Sequence, residues 1–299
     1  MSGTVDTFAW IGRRIGKPPG WERIVRLFAA PEKCGNLPEV CITRDGTRFV
    51  AQPGVVVGWH VAFFGTYEPE VRKIFRAVLP ANGAAVDIGA NVGWHTLLMA
   101  SLVGDGGRVL AVEPNPSVRA RLQENLSLNG FSHVEVSPYA IMDSDGVVTF
   151  HSPEAADMAS GAGHVITAAA EGDPGAARIE ARRLDSLVPS MGLERLDLIK
   201  IDIEGFEWPA LKGAEQTIAR FRPHIVFEYL AECADRGGGT PAVLEQFFRR
   251  HGYRLYAIGR SRPKALAEGR WPPAANLWAV PSPEADTLIH PETDIPIHR

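Results

Sequence analysis

The segment Asp87-Ile88-Gly89-Ala90-Asn91-Val92-Gly93 has the composition of a ligand-binding loop between a strand and a helix. Gly89 and Gly93 would let a ligand approach the backbone closely, and the start of the next helix offers free N–H groups. The dinucleotide fingerprint G-x-G-x-x-G needs a glycine where Asn91 stands. The acid Asp87 suits a ligand with an ammonium group and opposes a pyrophosphate. A P-loop is excluded because no Gly-Lys-Ser/Thr follows.

Two further acids follow the next two predicted strands. Glu113 lies 24 residues after Gly89 and ends the second strand, where a carboxylate can accept hydrogen bonds from both ribose hydroxyls. Asp143 comes just after the third strand, and its surroundings would form one wall for an adenine ring. The glycine loop and Glu113 together predict an adenosyl cofactor. The structural alternative is a capped turn in an unrelated α/β sheet.

A cluster of acids follows the apolar run that ends at Ile201. Ligands of open parallel sheets bind at the carboxyl ends of the strands, so Asp202 and Glu204 should face the same crevice as the glycine loop. The alternative is a helix N-terminus carrying acids that favour the helix dipole. That alternative accounts well for Glu207 and less well for Asp202, which precedes the turn at Gly205.

The candidates for removing a proton from a reacting hydroxyl are Asp202, His95 and Glu228, in that order. Glu228 ends the predicted strand His224–Phe227 and should lie beside Asp202. A carboxylate or imidazole within hydrogen-bond reach is what such a step requires. His95 could instead be a helix N-terminal residue bonded to backbone. Two acids at adjacent strand ends could also bind Mg²⁺, although nothing in the sequence requires a metal.

The candidate residues lie at the ends of strands in a sequence that alternates strands and helices. This alternation predicts an α/β fold with a mostly parallel seven-stranded sheet and helices on both faces. An N-terminal cap (1–80) would precede a cofactor-binding domain (81–282) and a loose tail (283–299), and the segment Glu154–Gly175 could form a lid. The predicted strands are Ala84–Ile88, Arg108–Val112, Val134–Tyr139, Val147–His151, Ile179–Arg183, Leu196–Ile201, His224–Phe227, Tyr253–Ile258 and Leu277–Val280, with short strands around Thr47–Val57. The predicted helices are Trp21–Ala30, Tyr67–Leu79, Trp94–Leu102, Ser117–Leu128 (capped by Ser117), Trp208–Ala219 and Pro241–His251.

Composition limits the class of protein. The 299 residues carry 31 Lys+Arg and 35 Asp+Glu, a net charge of −4, which does not supply the basic field of a nucleic-acid binder. Three cysteines without a CxxC pair fit a reducing compartment, and no run is apolar and long enough to span a bilayer. We therefore expect a soluble cytoplasmic protein without a nucleic-acid partner.

Aromatic residues could line an acceptor pocket, with Trp208 as the best candidate.

Three ordered segments, VDIGANVG, VEPNP and IKIDIEGFEWPALKGA, resemble those of the FkbM-type family of S-adenosylmethionine-dependent methyltransferases. The resemblance extends from about Gly65 to about Pro281. It implies a Rossmann-like class I methyltransferase fold with S-adenosylmethionine as cofactor. It further implies that the methionine half of the cofactor is lined by Asp87, Gly89, Asn91 and Gly93. Glu113 would hold the ribose, and Asp143 would lie near the adenine amine. Asp202 would lie near the sulfonium, and Glu68 would approach the same pocket from the N-terminal side.

The leading hypothesis is therefore O-methylation of a hydroxyl on a small molecule, such as a sugar, glycoconjugate or secondary metabolite. Two alternatives remain open at this point: a nucleotide-dependent oxidoreductase on a related sheet, and a non-catalytic methyltransferase-like binding module. The N-terminal 40 residues could mediate a contact within a homo-oligomer. The sequence does not choose among acceptors.

Overall fold

The computed structural model describes residues 9–14, 20–30, 39–52, 54–151, 164–166 and 176–282. The strands are β1 (Glu39–Ile42), β2 (Arg48–Ala51), β3 (Ala84–Ile88), β4 (Arg108–Val112), β5 (Val134–Ser137), β6 (Ala140–Ile141), β7 (Gly146–His151), β8 (His164–Ile166), β9 (Ala176–Arg182), β10 (Leu198–Ile201), β11 (His224–Leu230), β12 (Tyr253–Ala257), β13 (Lys264–Ala265) and β14 (Ala274–Pro281). The helices are α1 (9–14), α2 (Trp21–Ala29), α3 (Val56–Phe64), α4 (Pro69–Val78), α5 (Trp94–Val103), α6 (Pro116–Asn129), α7 (Leu184–Leu187), α8 (Glu207–Gly213), α9 (Glu215–Phe221), α10 (Ala234–Gly237) and α11 (Pro241–Arg250).

The main sheet has the strand order β13-β12-β14-β11-β10-β3-β4-β5. Strands β5, β4, β3, β10 and β11 run parallel, whereas β14 is antiparallel to both β11 and β12. The predicted seven strands are present, and the two-residue β13 adds an eighth at the edge. A doubly wound parallel sheet with one antiparallel strand inserted near its end is the Rossmann-like class I methyltransferase fold, as expected.

The central strands are buried on both faces, which is why they are nearly continuous apolar runs. All residues of β3 and β10 are buried. Because side chains alternate along a strand, Val86 and Ile88 pack into the core on the α8 and α11 side, while Ala85 packs with α4 and α5 on the other side. Asp87 and Lys200 fall on that second face, and the parallel register pairs them directly.

A second sheet of order β6-β9-β7-β8 lies between β5 and β10 in the chain. Strands β7 and β9 pair antiparallel. The segment expected to form a lid falls largely outside the described residues, apart from β8. The expected tail, 283–299, also lies outside them.

The N-terminal elements pack against α5 and α6. The buried core there includes Trp59, Phe63 and Phe64 of α3 with Leu97 and Leu122. Side chains of α6 fix β2: the Asn125 Oδ1 accepts from the Val50 N–H at 2.7 Å and the Asn129 Oδ1 from the Arg48 N–H at 2.8 Å. Among the described residues, no helix has the length and hydropathy needed to cross a bilayer.

Four sequence predictions need correction. The expected strands around Thr47–Val57 stop at Ala51, because the apolar run that begins at Val56 forms the buried helix α3. The cap of α6 is Asn115 and not Ser117, since the Asn115 side chain accepts from the Ser117 and Val118 N–H groups. The expected helix Trp208–Ala219 is two helices, α8 and α9, separated at Ala214. Finally, Glu228 lies within β11, which continues to Leu230.

Candidate active site

The carboxyl ends of β3, β4, β10 and β11 border one cavity of about 250 Å³. Six of the predicted site residues line it: Gly89, Asn91, His95, Glu113, Asp202 and Glu228. Four others do not: Glu68, Asp87, Gly93 and Asp143. The chain therefore brings the glycine loop, the Glu113 carboxylate and the acids after β10 and β11 together, as the strand-end argument predicts.

The glycine loop is shaped by close contacts to its neighbours. Gly89 has φ 77°, and a Cβ placed on it would lie 1.9 Å from the Asp202 carbonyl oxygen. Gly93 has φ 89°, and its Cβ would lie 2.6 Å from Leu122 Cδ1. Gly89 is thus required by the approach of the Asp202 backbone, whereas at Gly93 the positive φ is the main restriction on a larger residue. Asn91 lies between them and also has a positive φ, 50°.

Glu113 joins β4 to the glycine loop. Its Oε2 accepts from the Asn91 N–H at 2.9 Å and its Oε1 from the Asn115 N–H at 2.8 Å. Burial raises the pKa of Glu113 to about 7, although both backbone bonds act in the opposite direction. Each carboxylate oxygen can accept more than one hydrogen bond. The carboxylate is therefore fixed in the cavity wall with acceptor capacity left for a ligand.

Lys200 lies between two acids on neighbouring strands. Its Nζ is 3.1 Å from Asp202 Oδ2 and 3.7 Å from Asp87 Oδ1. Burial alone would lower the pKa of Lys200, but the surrounding carboxylates, Asp202 first, raise it above its usual value. The ammonium therefore remains charged in the interior. Sequence reasoning missed this role, although a lysine within Leu-Ile-Lys-Ile is a signal of a paired buried charge.

Asp87 does not line the cavity, contrary to the role that the resemblance implies. Its side chain is fully buried beneath α5, where Oδ2 accepts from Thr96 Oγ1 at 2.7 Å. Alternation along β3 accounts for this position, since Ile88 and not Asp87 is the strand residue that reaches the cavity. Asp87 is placed to act on the site through Lys200.

Three acids, two from the turn after β10 and one from β11, meet at the cavity. One carboxylate oxygen from each of Asp202, Glu204 and Glu228 lies within 4.8 Å of the other two, an arrangement that could hold a divalent cation. Burial, followed by the charge of Asp202, raises the pKa of Glu228 to about 9. Glu228 therefore holds a proton at neutral pH and shares it with Asp202 through a hydrogen bond.

Glu68 connects the N-terminal segment to the site from behind the cavity wall. Its Oε2 is 2.9 Å from His95 Nε2, and its Oε1 accepts from Asn276 Nδ2 at 2.9 Å. Burial would raise the pKa of Glu68, but the hydrogen bond and charge of His95 lower it to about 2. His95 is thus bonded to a side chain and not to backbone, and its Nδ1 has no hydrogen-bond partner among the described residues. Asn276, in β14 opposite Glu228, was not predicted as a site residue.

The remaining candidates, Asp143 and Trp208, are not among the residues that line the cavity. Asp143 bonds Lys212, and Tyr139, Ala140 and Ile141 line the cavity in its place. Trp208, expected in an acceptor pocket, instead packs edge-on against Phe247 with ring centroids 5.5 Å apart.

Glu207 is an acid at a helix N-terminus, which is the alternative role that the sequence indicates for it. It is the first residue of α8, and its Oε1 accepts from the Ile203 and Gly205 N–H groups at 3.1 and 3.2 Å. Its carboxylate closes the turn that carries Glu204.

The chain is similar in sequence to known methyltransferases. The model of the methyltransferase FkbM domain matches residues 87–255, more than half of the chain. Methyltransferase sdnD of Sordaria araneosa is 30% identical over 211 residues, covering 59% of this chain and 81% of that protein. The 2-O-methyltransferase NoeI of Sinorhizobium fredii is 27% identical over 168 residues, covering 53% of this chain and 68% of NoeI.

A much larger protein also contains a similar stretch. The AMB antimetabolite synthetase AmbE of Pseudomonas aeruginosa is 29% identical over 250 residues, covering 73% of this chain and 11% of AmbE. The chain thus spans a small part of AmbE and most of sdnD. With the family model matched across the glycine loop, Glu113 and the acids after β10, the chain belongs to the FkbM family of methyltransferases.

Proposed function

We propose that the chain transfers a methyl group from S-adenosylmethionine to a hydroxyl of a small molecule, as a sugar, glycoconjugate or secondary metabolite would present. The assignment of the cofactor rests mainly on the Glu113 carboxylate, which accepts a hydrogen bond from the Asn91 N–H of the glycine loop. Family membership supports a methyltransferase. The similarity to NoeI, a 2-O-methyltransferase, supports oxygen as the acceptor atom.

The residues present fit this cofactor. Glu113 has acceptor capacity for the ribose hydroxyls, and Gly89 and Asn91 border the cavity where the methionine half would bind. Tyr139 and Ile141 give the adenine a wall that Asp143 would only flank. When bound, the cofactor supplies a methyl group on a positively charged sulfur, which is intrinsically reactive toward a nucleophile.

The chain's own task is to orient the acceptor and to take its proton. Orientation of two reactants can contribute ~7–11 kcal/mol to lowering a barrier. As the new oxygen–carbon bond forms and the carbon–sulfur bond breaks, the hydroxyl proton must go to a base. Glu228 already holds a proton at neutral pH, so Asp202 is the better acceptor of the pair. His95, through its unpartnered Nδ1, is the second candidate.

The cofactor assignment is tested by calorimetry with Glu113→Ala. Loss of an acceptor for two ribose hydroxyls should weaken S-adenosylmethionine binding by about 10-fold to 100-fold, since hydrogen bonds to charged groups contribute about 1.5–3 kcal/mol. Glu135→Ala, an exposed acid on the neighbouring strand β5, is the matched control. Unchanged affinity in the Glu113 variant would contradict the assignment.

The acceptor is found with a labelled-methyl assay on an extract of the source cell, followed by mass spectrometry of the product. Firm cofactor binding without transfer to any acceptor would favour the non-catalytic binding module. Tight NADH binding without S-adenosylmethionine binding would favour the oxidoreductase. Product carrying the label on nitrogen would contradict the hydroxyl acceptor and leave the methyltransferase assignment intact.

A further inference from the structure

The exposed apolar side chains of the molecule are concentrated near its N-terminus. Among the described residues, eight large hydrophobic side chains are exposed, and six of them lie between residues 10 and 42: Trp10, Ile24, Leu27, Phe28, Val40 and Ile42. The family domain begins only at residue 87. Concentrated exposed apolar surface marks an interaction site more often than scattered single residues do.

Helix α2 has two apolar faces. Val25 and Ala29 are buried in the core beside Trp59. At about 100° per residue, Ile24, Leu27 and Phe28 form a separate stripe on the helix next to that buried face. The stripe is exposed to solvent: Leu27 is 74% exposed and Phe28 57%. The fold thus buries one apolar face of α2, whereas Ile24, Leu27 and Phe28 on the other face are exposed.

An exposed basic side chain borders the stripe, because Arg23 follows Leu27 around the helix. Helix α1, which precedes α2 in the chain, also carries an exposed arginine, Arg14, over the ring of Trp10 at 5.6 Å. The first 30 residues of the sequence contain five basic and two acidic residues, a net charge of +3, whereas the remainder carries −7. The apolar stripe therefore belongs to a basic segment of an otherwise acidic chain.

This charge distribution decides between occupants. A symmetric contact between two copies would bring two basic segments together, which like charges oppose. An anionic lipid surface attracts the arginines and accepts leucine, isoleucine and phenylalanine side chains at the headgroup boundary. We propose that the α2 face, defined as Arg23, Ile24, Leu27 and Phe28, docks peripherally on an anionic membrane surface.

The test is co-sedimentation of the purified full chain with sucrose-loaded vesicles. Vesicles of phosphatidylglycerol and phosphatidylcholine should bind the protein, vesicles of phosphatidylcholine alone should bind it weakly, and high salt should reduce binding. Leu27→Glu should abolish binding. Arg23→Glu reverses one charge and should weaken binding by at least about fivefold, since each basic residue near such a surface contributes ~1 kcal/mol.

Two matched variants keep the test specific. Val147→Glu alters another exposed hydrophobic side chain, in β7, and Arg260→Glu alters another exposed arginine; both should bind vesicles like the unmodified chain. Circular dichroism and S-adenosylmethionine binding check that each variant is folded. Equal binding to both kinds of vesicle, or equal loss in the control variants, would overturn the proposal. So would a dimer, measured by light scattering, that Leu27→Glu converts to a monomer, because the face would then be an interface between copies.

Discussion

Lys200 Nζ lies 3.1 Å from Asp202 Oδ2, and this ion pair links the buried interior of the sheet to the cavity. The lysine also faces Asp87 of the neighbouring strand, so that one buried ammonium serves two carboxylates. Parallel pairing of β3 with β10 puts Lys200 opposite Asp87, and the chain then reaches Asp202 two residues later at the strand end. The buried Lys200 thereby fixes the position of Asp202, the proposed proton acceptor.

Replacing this ammonium should impair both stability and methyl transfer. Lys200→Met leaves Asp87 and Asp202 without their cation, and breaking a buried pair costs about 3–5 kcal/mol. We expect kcat to fall by on the order of 10²-fold, with a smaller change in S-adenosylmethionine affinity, because the proposed role of Lys200 is to position Asp202 and not the cofactor. Urea denaturation and steady-state kinetics measure the two effects.

The exposed Lys264→Met in β13 is the matched control for that substitution and should behave like the unmodified chain. A folded Lys200→Met enzyme with unchanged kcat would show that the ion pair has only a structural role.

The pH dependence of stability should reveal the proton on Glu228. Its pKa is raised to about 9 from the usual 4.5, so the native state retains a proton that the unfolded chain has lost. This group therefore costs stability as pH rises through that window. Glu228→Gln removes the cost and should be more stable than the unmodified chain by ~2 kcal/mol or more near pH 8, with a smaller difference near pH 5.

The exposed Glu232→Gln, four residues further on, controls for removing an acid from this part of the chain. Denaturant titrations at the two pH values provide the comparison. If the Glu228→Gln difference did not grow with pH, the proton would have to reside elsewhere in the cluster.

The sequence predicted the parts of the site that depend on local pattern. The glycine loop, Glu113 and Asp202 follow short buried strands, and strand ends in a parallel sheet converge at one edge. The sequence did not predict helix α3, because a nine-residue apolar run shows no periodicity that separates a buried helix from a strand. It also did not predict Asn276 as a site residue, because the position of Asn276 beside Glu228 depends on antiparallel pairing between strands distant in sequence.

Gly89 should be far less replaceable than a glycine with a similar positive φ in open space. Gly89→Ala adds a Cβ 1.9 Å from the Asp202 carbonyl oxygen, so the loop and the Asp202 turn must separate. Gly130, at the end of α6, has a comparable φ of 68° in the left-handed helical region, with nothing within 4 Å of its Cβ. Gly130→Ala should therefore cost only the backbone strain, ~1–2 kcal/mol.

Activity and thermal stability of the two alanine variants give the comparison. We expect Gly89→Ala to lose more stability than Gly130→Ala and, where it folds, to lose methyl transfer. Equal effects in both variants would mean that positive φ alone, and not contact with Asp202, restricts Gly89.

The acid Glu68 should contribute stability that disappears at low pH. Its pKa is lowered to about 2 from the usual 4.5, so the unfolded chain takes up the proton first as pH falls. The contribution is fully present above about pH 4.5, and it is lost as pH falls toward about 2. Glu68→Gln keeps the shape but not the charge beside His95. It should destabilise the protein by about 3 kcal/mol near neutral pH, with the difference shrinking through the same acidic window.

Glu70→Gln, in the first turn of α4, is the matched control and should show no such pH dependence relative to the unmodified chain. Urea unfolding followed by tryptophan fluorescence at several pH values measures both variants. A Glu68→Gln deficit that persisted unchanged at about pH 2 would show that the side-chain contacts of Glu68, and not its charge beside His95, supply the stability.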